Sequence, residues 1–127
     1  MYKMFKTLLL FVFTAPSAPD NFTAELIETR QVTFSWLTPR MPNGNINGYN
    51  LTYSNSTHNI VTLPLIMAGP DPLNITVENL NEFTDYRFEL RARTIAGFGP
   101  PAVLNLMTDQ AGILRLLHSL MTIKIIL

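Results

Sequence analysis

The feature that most limits what this chain can become is a period-two alternation of apolar and polar residues. Val32, Phe34 and Trp36 alternate with Thr33, Ser35 and Leu37, and Tyr49, Leu51 and Tyr53 with Asn50, Thr52 and Ser54. Ile75 and Val77 repeat the pattern against Asn74, Thr76 and Glu78. The longest run sets Tyr86, Phe88, Leu90 and Ala92 against Arg87, Glu89, Arg91 and Arg93. Successive side chains of an extended strand point to opposite faces, so each run has one apolar face and one wet face. Phe22, Ala24 and Leu26 read as a first strand, and Leu104 and Leu106 as a last one. Pro42-Asn43-Gly44, Asn47-Gly48 and Gly69-Pro70-Asp71-Pro72 read as turns, because Gly and Asn tolerate positive φ and Pro fixes φ. From Ser54 to Pro72 the alternation is weak, and Ile60 and Leu63 indicate one short strand followed by an irregular connection. No long helical period intervenes, so the expected class is all-β, with two packed antiparallel sheets.

Charge divides the chain into three parts. Its 127 residues carry nine Lys+Arg and nine Asp+Glu, a net charge of zero. The nine acids all lie between Asp20 and Asp109, where five arginines accompany them and leave that region at −4. Lys3 and Lys6 at one end, and Arg115 and Lys124 at the other, have no acidic neighbours. An acidic centre between short basic, apolar ends has no electrostatic footprint for nucleic acid. With 47% hydrophobic residues the chain has the apolar content to build a core.

Residues 1–17 have the order of a secretory signal: Lys3 and Lys6, an apolar run at 8–13, then small Ala15 and Ser17 before Ala18. They read as that signal, with a cut before Ala18, or as an apolar leader. The run is too short to span a bilayer, which takes about 20 apolar residues. The folded domain is expected at 18–110. The apolar tail, 111–127, is interrupted by Arg115, His118 and Lys124, each costly in a bilayer. It reads as disordered or as a short helix, with membrane association through it as the alternative.

The order Pro19, Trp36, Gly48-Tyr49, Leu80, Thr84-Asp85-Tyr86, Ala92, Gly97-Phe98-Gly99 and Thr108 resembles a fibronectin type III domain. The resemblance covers about residues 17–110 and implies a seven-stranded, immunoglobulin-like sandwich. It places Trp36 between the sheets and makes Leu80 and Tyr86 a tyrosine corner, with the phenol bonded to nearby backbone. Tyr49 and Phe88 join them as expected core residues. An immunoglobulin domain would carry Cys where Phe88 stands, and the chain has no Cys at all. Glu82 and Thr94 depart from the Pro and Asn common in the family, at positions expected in turns or at a strand end. The resemblance also implies partner contact through two loops, here about Leu37–Ile46 and Thr94–Pro101. Asn43 and Phe98 are the candidate contact residues. Phe98 reads equally as an exposed anchor or as a ring folded back on the sheet edge.

Sequons supply the strongest chemical signal: Asn21-Phe22-Thr23, Asn50-Leu51-Thr52, Asn55-Ser56-Thr57 and Asn74-Ile75-Thr76. Asn21, Asn50 and Asn74 fall on the polar parity of their strands, where a hydrated glycan has room. N-linked glycosylation at all four is expected. Arg87, Arg91 and Arg93, interrupted by Glu89, read as a solvated sheet face with cross-strand charge pairs rather than a ligand strip.

No catalytic, metal or cofactor residues are expected. His58 and His118 are the only histidines and have no partners at zinc-ligand spacing. No serine sits in a nucleophile elbow, and no Gly-rich loop opens a helix. The composite expectation is a non-catalytic, extracellular or secreted interaction or adhesion module, a fragment or short form of a multi-repeat receptor. Its partners would be a protein ligand or neighbouring repeats. The ectodomain of a receptor-type tyrosine phosphatase is one such parent.

Overall fold

The computed structural model describes residues 14–57, 59–112, 117 and 119–122. The apolar run at 8–13 and both histidines lie outside the described residues. Eight strands follow in chain order: β1 (Asp20–Ile27), β2 (Val32–Leu37), β3 (Gly48–Asn55), β4 (Ile60–Thr62), β5 (Leu73–Val77), β6 (Asp85–Thr94), β7 (Gly97–Phe98) and β8 (Ala102–Met107). One sheet has the order β1-β2-β5. The other has the order β4-β3-β6-β7, with β8 also pairing to β6. Every pairing is antiparallel.

The alternating runs lie where period two puts them. Val32, Phe34 and Trp36 of one sheet bury against Tyr49, Leu51, Phe88, Leu90 and Ala92 of the other. Phe34 and Phe88 pack across the gap at a tilt with ring centroids 4.6 Å apart, and Trp36 meets Tyr49 edge-on at 5.3 Å. Each fully buried apolar side chain of this size contributes roughly 1.5–3 kcal/mol. Val77 and Leu80 close the same core, while Tyr53, Leu104 and Leu106 pack on its margin.

Three expectations change. Phe22 is buried but Leu26 is 52% exposed, because the β1–β2 register shifts between Ala24 and Leu26. An extra residue in one strand inverts the alternation beyond it, and Leu26 comes to pair with Thr33, which bonds Thr76 on the wet face. Asn47-Gly48 is not a turn: Gly48 opens β3, and a Cβ there would stand 3.1 Å from the Ile66 carbonyl oxygen. Gly97-Phe98 is a strand rather than a loop, paired with Thr94 and Arg93 across the two-residue turn Ile95-Ala96.

Close packing reaches outside 18–110 at the start of the chain. Pro16 is among the most completely buried residues. At the other end, Asp109 accepts from the Phe83 N–H and donates its own N–H to the Glu28 carbonyl. Beyond it, residues 119–122 are helical, and no helix among the described residues is long and apolar enough to cross a membrane.

Candidate recognition surface

Among the described residues no three His, Cys, Asp or Glu side chains stand together as a metal site. What the fold offers is surface, and β6 organises it. Its ten residues run the length of the sandwich, with Tyr86 near one end and Arg93 and Thr94 at the other.

At the Arg93 end, the loop joining β2 to β3 and the turn joining β6 to β7 enclose a cleft of about 390 Å³. Asn43, Gly44, Asn45, Asn47 and Ile95 line it. Asn43 (φ +53°) and Gly44 (φ +146°) bring the loop round in conformations most side chains avoid. Asn47 anchors its exit, donating its N–H to the Arg93 carbonyl and accepting from Arg93 Nε at 2.8 Å. The Arg93 guanidinium also lies 5.6 Å from the centre of the Phe98 ring. Phe98 is therefore held under a cation on β7 and is still 45% exposed. Thr94 is buried, and its hydroxyl accepts from the Ala96 N–H, capping the turn. That cap turns Ile95 outward to 87% exposure, the highest among the large apolar residues described. Sequence reasoning missed Ile95, although the parity of Tyr86 through Thr94 already points it away from the core.

The arginine strip pairs along its own strand rather than across strands. Glu89 binds Arg87 at 3.1 Å through one carboxylate oxygen and Arg91 at 3.4 Å through the other. Such exposed pairs contribute ~0–1 kcal/mol each.

The opposite end carries the expected corner. Tyr86 Oη accepts the Asn81 N–H at 2.8 Å, with Leu80 fully buried beside it. Thr108 completes it: its hydroxyl accepts from the Thr84 N–H at 3.0 Å and donates to the Asn81 carbonyl at 2.6 Å. Glu82 is exposed in this connection and lies 3.9 Å from Arg30. Ile27, Phe83 and Met107 make an apolar groove here, with Ser119 on one side. Phe83, at φ +45°, is a second residue that sequence reasoning missed.

The sequon asparagines fall into different settings. Asn21, at φ +47° beside the first β1 register shift, and Asn74 on β5 are exposed. Thr23, the third residue of the Asn21 sequon, and Asn74 both register against Ser35, so the two sequons share the wet face of the three-stranded sheet. Asn50 is half-buried in mid-β3, opposite Arg91. Asn55 ends β3, and its Oδ1 accepts from both the N–H and the hydroxyl of Thr57, the third residue of its own sequon.

Two antiparallel sheets packed around a lone tryptophan, with a tyrosine corner at one end, define the immunoglobulin-like β-sandwich class. The fibronectin type III domain model matches residues 17–103, and the chain belongs to that family. Protein sidekick-2 of Gallus gallus is 37% identical over 99 residues, covering 74% of this chain and 4% of the relative. Integrin beta-4 of Homo sapiens is 34% identical, covering 71% of this chain and 5% of the relative. The phosphatidylinositol phosphatase PTPRQ of Rattus norvegicus is 33% identical, covering 83% of this chain and 4% of the relative. The chain thus spans only 4–5% of the length of these curated relatives. Solved structures agree on the fold alone. A myokine structure superposes with a TM-score of 0.64 at 18% identity, covering 76% of this chain and all of the other. A titin crystal structure superposes at 0.63 and 19%, covering 76% of this chain and 33% of the other. The fibronectin type III domain is a non-catalytic module, found in adhesion receptors and receptor phosphatases and suited to protein–protein interaction.

Proposed function

We propose that this chain is a non-catalytic, extracellular protein-interaction or adhesion module, one repeat of a larger receptor, that binds its partner through the cleft end. The observation that carries this reading is the Ile95 side chain. It is an almost fully exposed apolar group on a capped turn, rimmed by the Asn43, Asn45 and Asn47 side chains. An apolar anchor surrounded by adaptable polar groups is the arrangement that concentrates binding energy in protein interfaces. N-linked glycans at Asn21, Asn50, Asn55 and Asn74 belong to the same proposal. At Asn21 and Asn74 they would cover the wet face of the three-stranded sheet, leaving the ends for contact.

A tetramerised full chain, screened against an array of extracellular proteins, tests the reading. Ile95→Asp is expected to abolish the hits, and Leu26→Asp, remote on the wet face of β1, to preserve them. Hits indifferent to Ile95→Asp would move the interface elsewhere. Peptide mapping after enzymatic glycan release, on protein from a secreting eukaryotic host, tests the glycans. Unmodified asparagine at all four sequons would remove that part of the proposal.

A second reading has its own observation: Leu117, Leu120 and Met121 are exposed on the tail. In that reading the tail associates with a membrane and displays the domain as a head. Alkaline extraction of membranes from cells expressing the chain separates the two, since an integral anchor stays with the lipid.

A further inference from the structure

Three residues ahead of the expected domain boundary are built into the cleft end. Asn43 Nδ2 donates to the Ala15 carbonyl at 2.9 Å. The Ser17 N–H donates to the Met41 carbonyl at 2.9 Å, and the Met41 N–H returns to Ser17 Oγ at 3.1 Å. Between them Pro16 is fully buried, and it brings no backbone N–H that would need a partner there. Its carbonyl lies so close to Gly99 that a Cβ on that residue would stand 2.0 Å from the oxygen. Gly99 directly follows β7, and its own N–H is committed to the Ala92 carbonyl at 2.9 Å. One short segment therefore touches both walls of the cleft from behind: the β2–β3 loop through Met41 and Asn43, and the β6–β7 hairpin through Gly99.

The loop needs that support. Asn43 has positive φ, a conformation that a non-glycine residue in a free loop occupies sparingly even though Asn tolerates it best. Asn47 fixes only the exit of the loop, through Arg93. The bonds to Ala15 and Ser17 fix its middle, from a part of the chain 24 to 28 residues away in sequence.

We propose that Ala15-Pro16-Ser17 is a positioning strap for the cleft, setting the separation of its two walls and holding Asn43 beside Ile95. This rests on the cleft end being the recognition surface. It adds that the surface is conditional on what happens upstream of Ala18. Cleavage of the Ser17–Ala18 bond, the one the small residues mark for a leader peptidase, would remove the strap entirely.

Amide hydrogen exchange on the full chain tests the strap without any binding partner, so its outcome is separate from that of the array screen. Asn43→Asp removes the donor to Ala15 while keeping a residue that tolerates positive φ. Ser17→Ala removes the acceptor for Met41. The double variant is expected to exchange about tenfold faster at 41–47 and at 97–99, the scale of one or two net hydrogen bonds lost. Amides of β2 and β5 are expected to stay at wild-type rates, and Ser17→Thr, which keeps the hydroxyl, to restore protection at Met41. Acceleration spread evenly over β2 and β5 would reduce the segment to general stability and overturn the strap. Unchanged rates at 41–47 and 97–99 would overturn it equally.

Discussion

At the Tyr86 end of the sandwich, the connection from β5 to β6 is closed by two hydroxyls inside the protein. At the Arg93 end, the β2–β3 loop is closed by exposed amide side chains and a segment from before β1. Tyr86 Oη and Thr108 Oγ1 bond directly to the backbone of 81–84, under cover of Leu80. Asn43 and Asn47 do the equivalent at the cleft end from positions open to water. A hydrogen bond made in a buried site leaves a desolvated group behind when broken, whereas an exposed one is replaced by water. One end is therefore expected to carry stability, and the other to carry a shape that tolerates change.

The sharpest way to break this contrast is to trim one aliphatic side chain at each end. Leu80→Ala empties a fully buried site and is expected to cost about 2–5 kcal/mol by denaturant unfolding. A smaller loss is expected from Thr108→Val, which keeps the shape but unpairs the Thr84 N–H and the Asn81 carbonyl. That change is expected to cost about 1–3 kcal/mol and to speed exchange at Thr84. Ile95→Ala, at the other end, is expected to stay within about 0.5 kcal/mol of wild type. If it destabilised as much as Leu80→Ala, the contrast between the ends would be wrong.

The smallest effect lies outside both ends and serves as a reference. The Glu25 carboxyl is held below its ordinary 4.5 by hydrogen bonds from the Ser35 and then the Thr23 hydroxyls. A carboxyl depressed in the folded state adds stability above its unfolded value and loses it as pH falls through the folded one. Glu25→Gln is therefore expected to flatten slightly the loss of stability below pH 4.5, with the midpoint at neutral pH hardly moved. A steeper acid loss in the variant would contradict the assignment.

How much of this was legible in the sequence follows from what period two can encode. β2 could be read because its register with β5 is unbroken from Val32↔Val77 to Trp36↔Leu73, so parity alone sorts its faces. β1 could be read only as far as Ala24, since a register shift is a tertiary fact that leaves no local mark. β4 could be placed from Ile60 but not sorted by face, since its three residues are all exposed. The tyrosine corner was legible through resemblance, because Leu80, Thr84 and Tyr86 sit close together in sequence. Of the residues that line the cleft, the sequence singles out Asn43 and not Ile95. The packing of Ala15-Pro16-Ser17 was not legible: small residues around a proline suit a peptidase site and equally a segment lying against Gly99, and that contact is a tertiary fact.

The double irregularity of β1 also bears on solubility. β1 and β4 each form one border of a sheet, with β5 and the β7/β8 side at the others, and a border strand offers unpaired N–H and C=O groups to any passing chain. Along β1 the spacing of those groups is broken twice, once beside the left-handed Asn21 and once before Leu26. β4 is only three residues long. Neither of these borders offers an added strand a long unbroken template, which discourages sheet extension on those two sides.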